Sequence, residues 1–190
     1  MKTYVWSLPT RVFHWLLVFY IFIAFMSDEF MRLHFSIGIG IFILIIFRII
    51  WFFIGPKYSI LKDWNFKNFK DFNKEYLSHN PIASVVFIGM ILTILLTVIT
   101  GLLAYFYGSY FKEVHEAFTN ILIFFILLHL GGLSIDYLIH KRKTIFSMFN
   151  GYKELDGEDV KLNFIQKIVS FIFILSAIVV PIYIFLSYKF

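Results

Sequence analysis

Five long apolar stretches alternate with polar segments along the 190-residue chain. They cover residues 8–27, 34–54, 82–107, 115–139 and 165–188. Each approaches or exceeds the ~20 residues that an α-helix needs to cross a bilayer. The pattern therefore predicts an all-α membrane protein with five transmembrane helices. The first stretch is aromatic and has no small-residue cleavage site, which favours a membrane helix over a cleaved signal peptide.

Composition agrees with the hydrophobic pattern and removes several classes of site. Hydrophobic residues make up 60% of the chain and charged residues 15%, whereas soluble domains have about 45–50% and about 25%. That excess excludes an ordinary soluble domain and an intrinsically disordered chain. The chain has no Cys, which excludes disulfide frameworks, Cys-ligated zinc, iron–sulfur clusters and covalently attached haem.

The net charge of +5 predicts the orientation in the membrane. Basic residues gather in the N-terminal segment and in the loops at 55–81 and 140–164, while the intervening turns at 28–33 and 108–114 are short. The positive-inside rule then places the N-terminus inside and the C-terminus outside. Only three basic residues fall on the outer side in this arrangement: Arg32, Lys112 and Lys189.

Four of the six histidines lie in or at the ends of the apolar stretches. His115 and His129 are 14 residues apart on the fourth stretch, which puts them within about 40° of one helix face and about 21 Å apart in depth. The predicted orientation places His34 near the outer face with His115, and His14 near the inner face with His129. The other two, His79 and His140, fall in loops, where we expect solvated side chains.

This depth matching indicates two haem groups. Neutral imidazoles are good axial ligands for haem iron, and two of them on opposite porphyrin faces give a haem that carries electrons. We therefore predict an outer haem b held by His34 and His115, and an inner haem b held by His14 and His129. The alternative for any single histidine is a hydrogen-bonded residue in a helix interface, but four that pair by depth favour ligation.

Three further residues are candidates for contact with these haems. Gly38 lies four residues after His34, on the same face, where a missing side chain lets a flat ring approach the backbone. Arg48 shares that face at the inner depth, and a buried arginine needs an anionic partner such as a haem propionate. Arg11 is a second candidate for that role, and both arginines could instead extend to the lipid headgroups.

With these residues identified, the sequence resembles the bacterial cytochrome b561 and nickel–iron hydrogenase b-type cytochrome family. The resemblance covers roughly residues 5–153 and is carried by RVFHW (11–15), LHFSIG (33–38), RIIW (48–51), HNPIAS (79–84), TGLLAY (100–105), HE (115–116), HLGG (129–132) and SMFNGYK (147–153). It implies a four-helix haem-binding bundle with two b haems, the same four histidine ligands, quinone as substrate and location in the bacterial inner membrane. Residues 1–153 would form this core, and residues 154–190 a linker and a fifth transmembrane helix. Ser78 stands where the family usually has glycine before HNP.

Three functions remain open at this point. The chain could be a membrane subunit that passes electrons between an extracytoplasmic redox partner, such as a hydrogenase or another oxidoreductase, and the quinone pool. It could be a stand-alone di-haem quinone oxidoreductase. It could also be a transporter that relays protons through histidines, although intramembrane carboxylates are limited to Glu116 and Asp136 near helix ends and no inverted repeat is visible. No segment has the features of a redox domain, so we expect a partner.

Overall fold

The structure is a computed structural model that describes residues 2–67, 69–71, 74–138, 141 and 143–187. Its long helices are α1 (Leu8–Met26), α2 (Met31–Ile54), α3 (Pro81–Tyr107), α4 (Ser109–Leu138) and α6 (Phe164–Ser187), with a short α5 (Ser147–Asn150) between the last two. Five helices are long and apolar enough to cross a membrane. The predicted all-α membrane fold with five spans is therefore confirmed. His140 and Lys189 lie outside the described residues.

Helix ends depart from the prediction mainly at the outer turns. Gly108 alone separates α3 from α4, so His115 lies about two turns inside α4 rather than at its start. Gly108 has φ of 89°, a conformation that favours glycine, and this lets the chain reverse within one residue. At the other end, α3 begins at Pro81, and the side chain of Asn80 accepts a hydrogen bond from the backbone N–H of Ala83 at 2.7 Å as an N-cap.

Helix α2 is the centre of the bundle, because it packs against α1, α3 and α6. Four of its side chains are fully buried in the apolar core: Leu44, Ile45, Phe47 and Trp51. Helix α4 behaves differently. It packs along α3, has no contact of similar extent with α1 or α2 among the described residues, and is hardly buried by the rest of the chain.

The fifth span, α6, is fixed to the opposite side of the bundle, against α2 and α1. The Tyr20 hydroxyl donates to the carbonyl of Ala177 at 2.8 Å. Gly40 makes this approach possible, because a Cβ there would lie 2.8 Å from Pro181 and 2.5 Å from the Tyr20 ring. Helix α6 therefore supports α1 and α2 from the side away from α4.

One end of the bundle is closed by a small cap that the sequence did not predict. We call this end, which carries the N-terminus, the inner end. Strands β1 (Thr3–Tyr4) and β2 (Tyr152–Lys153) pair antiparallel there, and the Trp6 indole donates to Ser147 Oγ at 3.1 Å. Gly151, at φ of 88°, lies under the Tyr4 ring, where a Cβ would approach to 2.4 Å. The cap ties the N-terminus to the segment that follows α4.

Candidate haem-binding sites

His34 and His115 face each other near the outer end of the bundle. Their ring centroids are 6.1 Å apart and their planes are nearly perpendicular. Two metal–imidazole bonds of about 2.0 Å, with roughly 1 Å from each nitrogen to its ring centre, give a centroid separation of about 6 Å. The two rings are therefore spaced as two axial ligands of one metal ion would be.

The backbone fixes the tautomer of both outer histidines. His34 Nδ1 lies 3.0 Å from the carbonyl oxygen of Ala24, and His115 Nδ1 lies 2.8 Å from that of Thr97. A carbonyl can only accept, so each Nδ1 carries the hydrogen. Each Nε2 then keeps its lone pair for a metal, which is the usual arrangement of a metal-binding histidine.

Glycines adjoin the outer pair. A Cβ on Gly101 of α3 would lie 3.0 Å from Cε1 and 3.1 Å from Nδ1 of His115, but 3.8 Å from Nε2. The imidazole thus turns its Cε1–Nδ1 edge to α3 and its Nε2 away from it. At Gly38, predicted to border the haem, a Cβ would meet nothing within 4 Å. That open space on the face of His34 suits a flat ring.

His14 and His129 come together toward the inner end. Both side chains are partly buried, and His14 lies near enough to His129 to feel its charge. His14 Nδ1 is buried and has no hydrogen-bond partner in the described part of the chain. The inner pair therefore lacks the backbone support that the outer pair has.

Arg48 is buried beside this inner pair, 2% exposed, in a cage of aromatic rings. Its guanidinium carbon lies 4.6 Å from the Phe52 ring centre, 5.1 Å from Phe87 and 5.5 Å from Trp64. Its Nε and Nη1 atoms are buried with no hydrogen-bond partner among the described residues. A buried cation with unmet donors is costly unless an anion joins it, which makes Arg48 a candidate to bind one.

His79 is not the solvated loop residue that we expected. Its ring packs 4.2 Å from Trp64 and 5.3 Å from Trp6, and its Nδ1 is buried without a partner. Burial, followed by the nearby charges of Lys153 and Arg48, holds its pKa well below the usual value, so the ring is neutral. The HNP sequence drew attention to this position, but only the packing of the inner cap shows that its histidine points inward.

Lys153 completes the basic lining of the inner end. Its ammonium donates to the carbonyls of Tyr76 and Ser78 at 2.9 and 2.8 Å and lies 5.3 Å from the Trp6 ring centre. Burial lowers the pKa of Lys153 to about 8. The sequence placed this lysine only among the basic residues of the loop at 140–164, because nothing local to it signals that a strand pair will bury it.

Arg11 lies apart from Arg48, at the edge of the inner cap. Its Nη1 donates to the carbonyl of Phe149 and its Nη2 to the Tyr4 hydroxyl. Its Nε is buried and has no acceptor in the described part of the chain. The two arginines predicted to contact one haem thus occupy different surroundings.

The family model for prokaryotic cytochrome b561 matches residues 5–151. The chain belongs to this family. Its members are b-type cytochromes of the membrane, so the protein holds haem b and transfers electrons. No curated protein and no solved structure matches the chain. The match ends before α6 begins, so the helix that supports α1 and α2 lies outside the matched region.

The histidine pairs suit the haem b of a cytochrome b561 better than a directly bound metal ion. Within the described residues, no group of three or more His, Asp or Glu side chains could hold a metal ion. Haem iron needs only axial ligands from the protein, since the porphyrin supplies the other four. The outer pair, with its spacing and its free Nε2 atoms, fits that requirement.

Proposed function

We propose that this cytochrome b561 family member is a di-haem electron carrier that connects an extracytoplasmic redox partner with the quinone pool across the membrane. The observation that carries the proposal is the outer pair, His34 and His115, with rings 6.1 Å apart. Both rings are tied through Nδ1 to backbone carbonyls. A haem iron, when bound, cycles between ferric and ferrous states and so carries one electron.

The second haem rests on the inner pair. His14 and His129 would hold it, and His14 is separated from His34 by the length of the bundle, as His129 is from His115. The 14 residues between His115 and His129 correspond to about 21 Å along α4. Two carriers at these depths would span most of an apolar core that is about 30 Å thick. The four histidines all lie within residues 1–153, which would form the haem core. Residues 154–190 would form a peripheral segment.

Arg48 would bind a propionate of the inner haem. Its two unmet guanidinium nitrogens and its burial beside the inner pair support this assignment, because a carboxylate would relieve the cost of the isolated charge. Arg11, the second candidate, already donates two hydrogen bonds to the cap, so we assign the propionate to Arg48. Gly38 would border the outer porphyrin.

The proposed location is the bacterial inner membrane, with the N-terminus inside and the C-terminus outside. The cap at the inner end supports this topology, since it joins the N-terminal strand to the segment between α4 and α6. Both lie on the side where basic residues collect, as the positive-inside rule requires. The direction of electron flow between quinone and the outer partner follows from their potentials.

Spectroscopy and haem quantitation test the proposal. The purified protein is expected to be red, to show a b-type reduced-minus-oxidised spectrum and to contain two haems per chain by the pyridine haemochrome method. A colourless protein from haem-replete cells, or one haem per chain, contradicts the di-haem assignment. Quinol should reduce the haems, and co-purification of a redox enzyme would identify the outer partner.

A further inference from the structure

A long groove follows the membrane side of α1 at the inner end. It has a volume of about 480 Å³, within the roughly 300–1,000 Å³ range of small-molecule sites. Helix α1, the α5 turn and α6 form its walls. The residues that line it are Leu8, Arg11, Val12, Trp15, Leu16, Phe19, Met148, Phe149 and Ile178.

The groove changes in character along its length. From Leu8 to Phe19 it follows 11 residues of α1, or about 16 Å. Its deep end, at Phe19 and Ile178, is apolar and level with the contact between Tyr20 and Ala177. Its shallow end holds Arg11, whose guanidinium has five N–H donors and uses two of them on the Phe149 carbonyl and the Tyr4 hydroxyl. A ligand that fits has a polar, hydrogen-bond-accepting head and a long apolar tail.

Trp15 connects this groove with the inner haem ligand. Its indole donates to the carbonyl of Met148 at 3.0 Å, and its ring lies 4.6 Å from that of Phe149. On its other side, it meets the His14 ring edge-on at 5.0 Å. This aromatic ring therefore contacts His14 and also lines the groove.

We propose that the groove between α1, α5 and α6 is the quinone-binding site, with the head group accepting a hydrogen bond from the Arg11 guanidinium and the isoprenoid tail running along Val12 toward Ile178. This inference rests on the proposed function, because it takes His14 as a ligand of the inner haem. It gives α6 a role, since α6 supplies one wall of the groove. It also separates the two arginines: Arg48 for the haem, Arg11 for the quinone.

The redox step balances between quinol and the haems. A bound quinol loses two electrons and two protons and becomes quinone. The two haems that His14, His34, His115 and His129 would hold would, in the ferric state, take up one of these electrons each. The protons leave to water at the inner face, on which the shallow end of the groove opens.

Filling the groove tests its role without touching a proposed haem ligand. Val12→Phe adds a ring at its middle. Val179→Phe is the matched control, because it makes the same change on the exposed face of α6. Val179 is 51% accessible and does not line the groove. Two measurements are made on the haem-loaded protein in detergent: the rate of haem reduction by decyl-ubiquinol, and labelling by a photoactivatable azidoquinone, mapped by peptide analysis.

The expected result is a drop of at least about tenfold in the reduction rate for Val12→Phe, about 1.4 kcal/mol, with the dithionite-reduced spectrum unchanged. Val179→Phe should reduce at the rate of the unaltered protein. Azidoquinone should label peptides of α1 or α6, and unlabelled quinone should compete. Equal rates for all three proteins, or labelling confined to α3 and α4, overturn the groove assignment but leave the di-haem function intact. Haems that dithionite reduces and quinol does not, in the unaltered protein, overturn both.

Discussion

The outer and inner ends of the bundle present histidine pairs in different ways. At the outer end, two backbone carbonyls hold His34 and His115 in the tautomer that a metal requires. Only short turns connect the helices there. At the inner end, a cap of strands and aromatic rings surrounds nitrogens that have no partner in the described part of the chain, on His14, Arg48 and His79. The outer rings are thus held by the protein backbone, whereas the inner end has buried polar groups that the described part of the chain leaves without partners.

Loss of a histidine gives the largest expected effect and tests the pairing itself. His34→Ala and His115→Ala should each remove the outer haem, and His14→Ala and His129→Ala the inner one, because one axial ligand no longer holds the iron. Haem content should fall from two to about one per chain, and redox titration should lose the same component within each pair. If His14→Ala and His115→Ala lost the same component, the assignment by depth would be wrong.

Crowding the outer ring is the next largest effect. In Gly101→Leu the new side chain would overlap the His115 imidazole, which already lies 3.0 Å from the position of a Cβ. Overpacking of this kind costs about 1–3 kcal/mol, and we expect the outer haem to be lost or its spectrum shifted. Gly101→Ala serves as the graded control, since the ring needs to move only a few tenths of an ångström.

The next prediction concerns Arg48, the buried cation at the inner end. Removing one partner of a buried ion pair costs about 3–5 kcal/mol, so Arg48→Gln should weaken retention of the inner haem and lower its midpoint potential. The outer component should be unaffected. Arg48→Lys keeps the charge and should retain more of the inner haem. If the content and the midpoint potential of the inner haem are unchanged in Arg48→Gln, Arg48 does not bind a haem propionate.

The smallest effect concerns the cap over the inner end. Burial puts the pKa of Lys153 at about 8, below the ordinary lysine value of 10.5, so the unfolded chain binds more protons between these values. Stability against heat should therefore rise with pH across that window. Thermal unfolding of the protein and of Lys153→Met, followed by circular dichroism from about pH 7 to about pH 10, isolates this contribution. Parallel pH profiles for the two proteins would show that Lys153 does not titrate as described.

The spans and the outer pair were accessible from the sequence for a simple reason. A bilayer demands about 20 apolar residues per helix, so hydropathy located α1, α2, α3 and α6 to within about three residues, and α4 to within about two turns at its start. Depth then followed from residue counting along each helix, which brought His34 opposite His115. The basic loops supplied the predicted orientation.

The inner surroundings depended on contacts between distant segments, which local patterns do not encode. His79 was expected to be solvated and Lys153 was counted only among the basic residues of its loop, because the sequence around each is polar. The pairing of Thr3 with Lys153 and the packing of Trp6 against His79 reverse that expectation. Likewise, the groove beside Trp15 needs α1, α5 and α6 together, and no one of those segments predicts it.

The sequence by itself determined the membrane fold, the number of spans and the histidines available at each depth, since these follow from the bilayer's thickness and the helix rise. Tertiary structure decided what surrounds those histidines. It placed backbone carbonyls behind the outer rings, an aromatic cage around Arg48 and the wall of α6 beside α1. Such features arise where residues far apart in the chain are packed side by side, because burial and hydrogen bonding depend on neighbours in space.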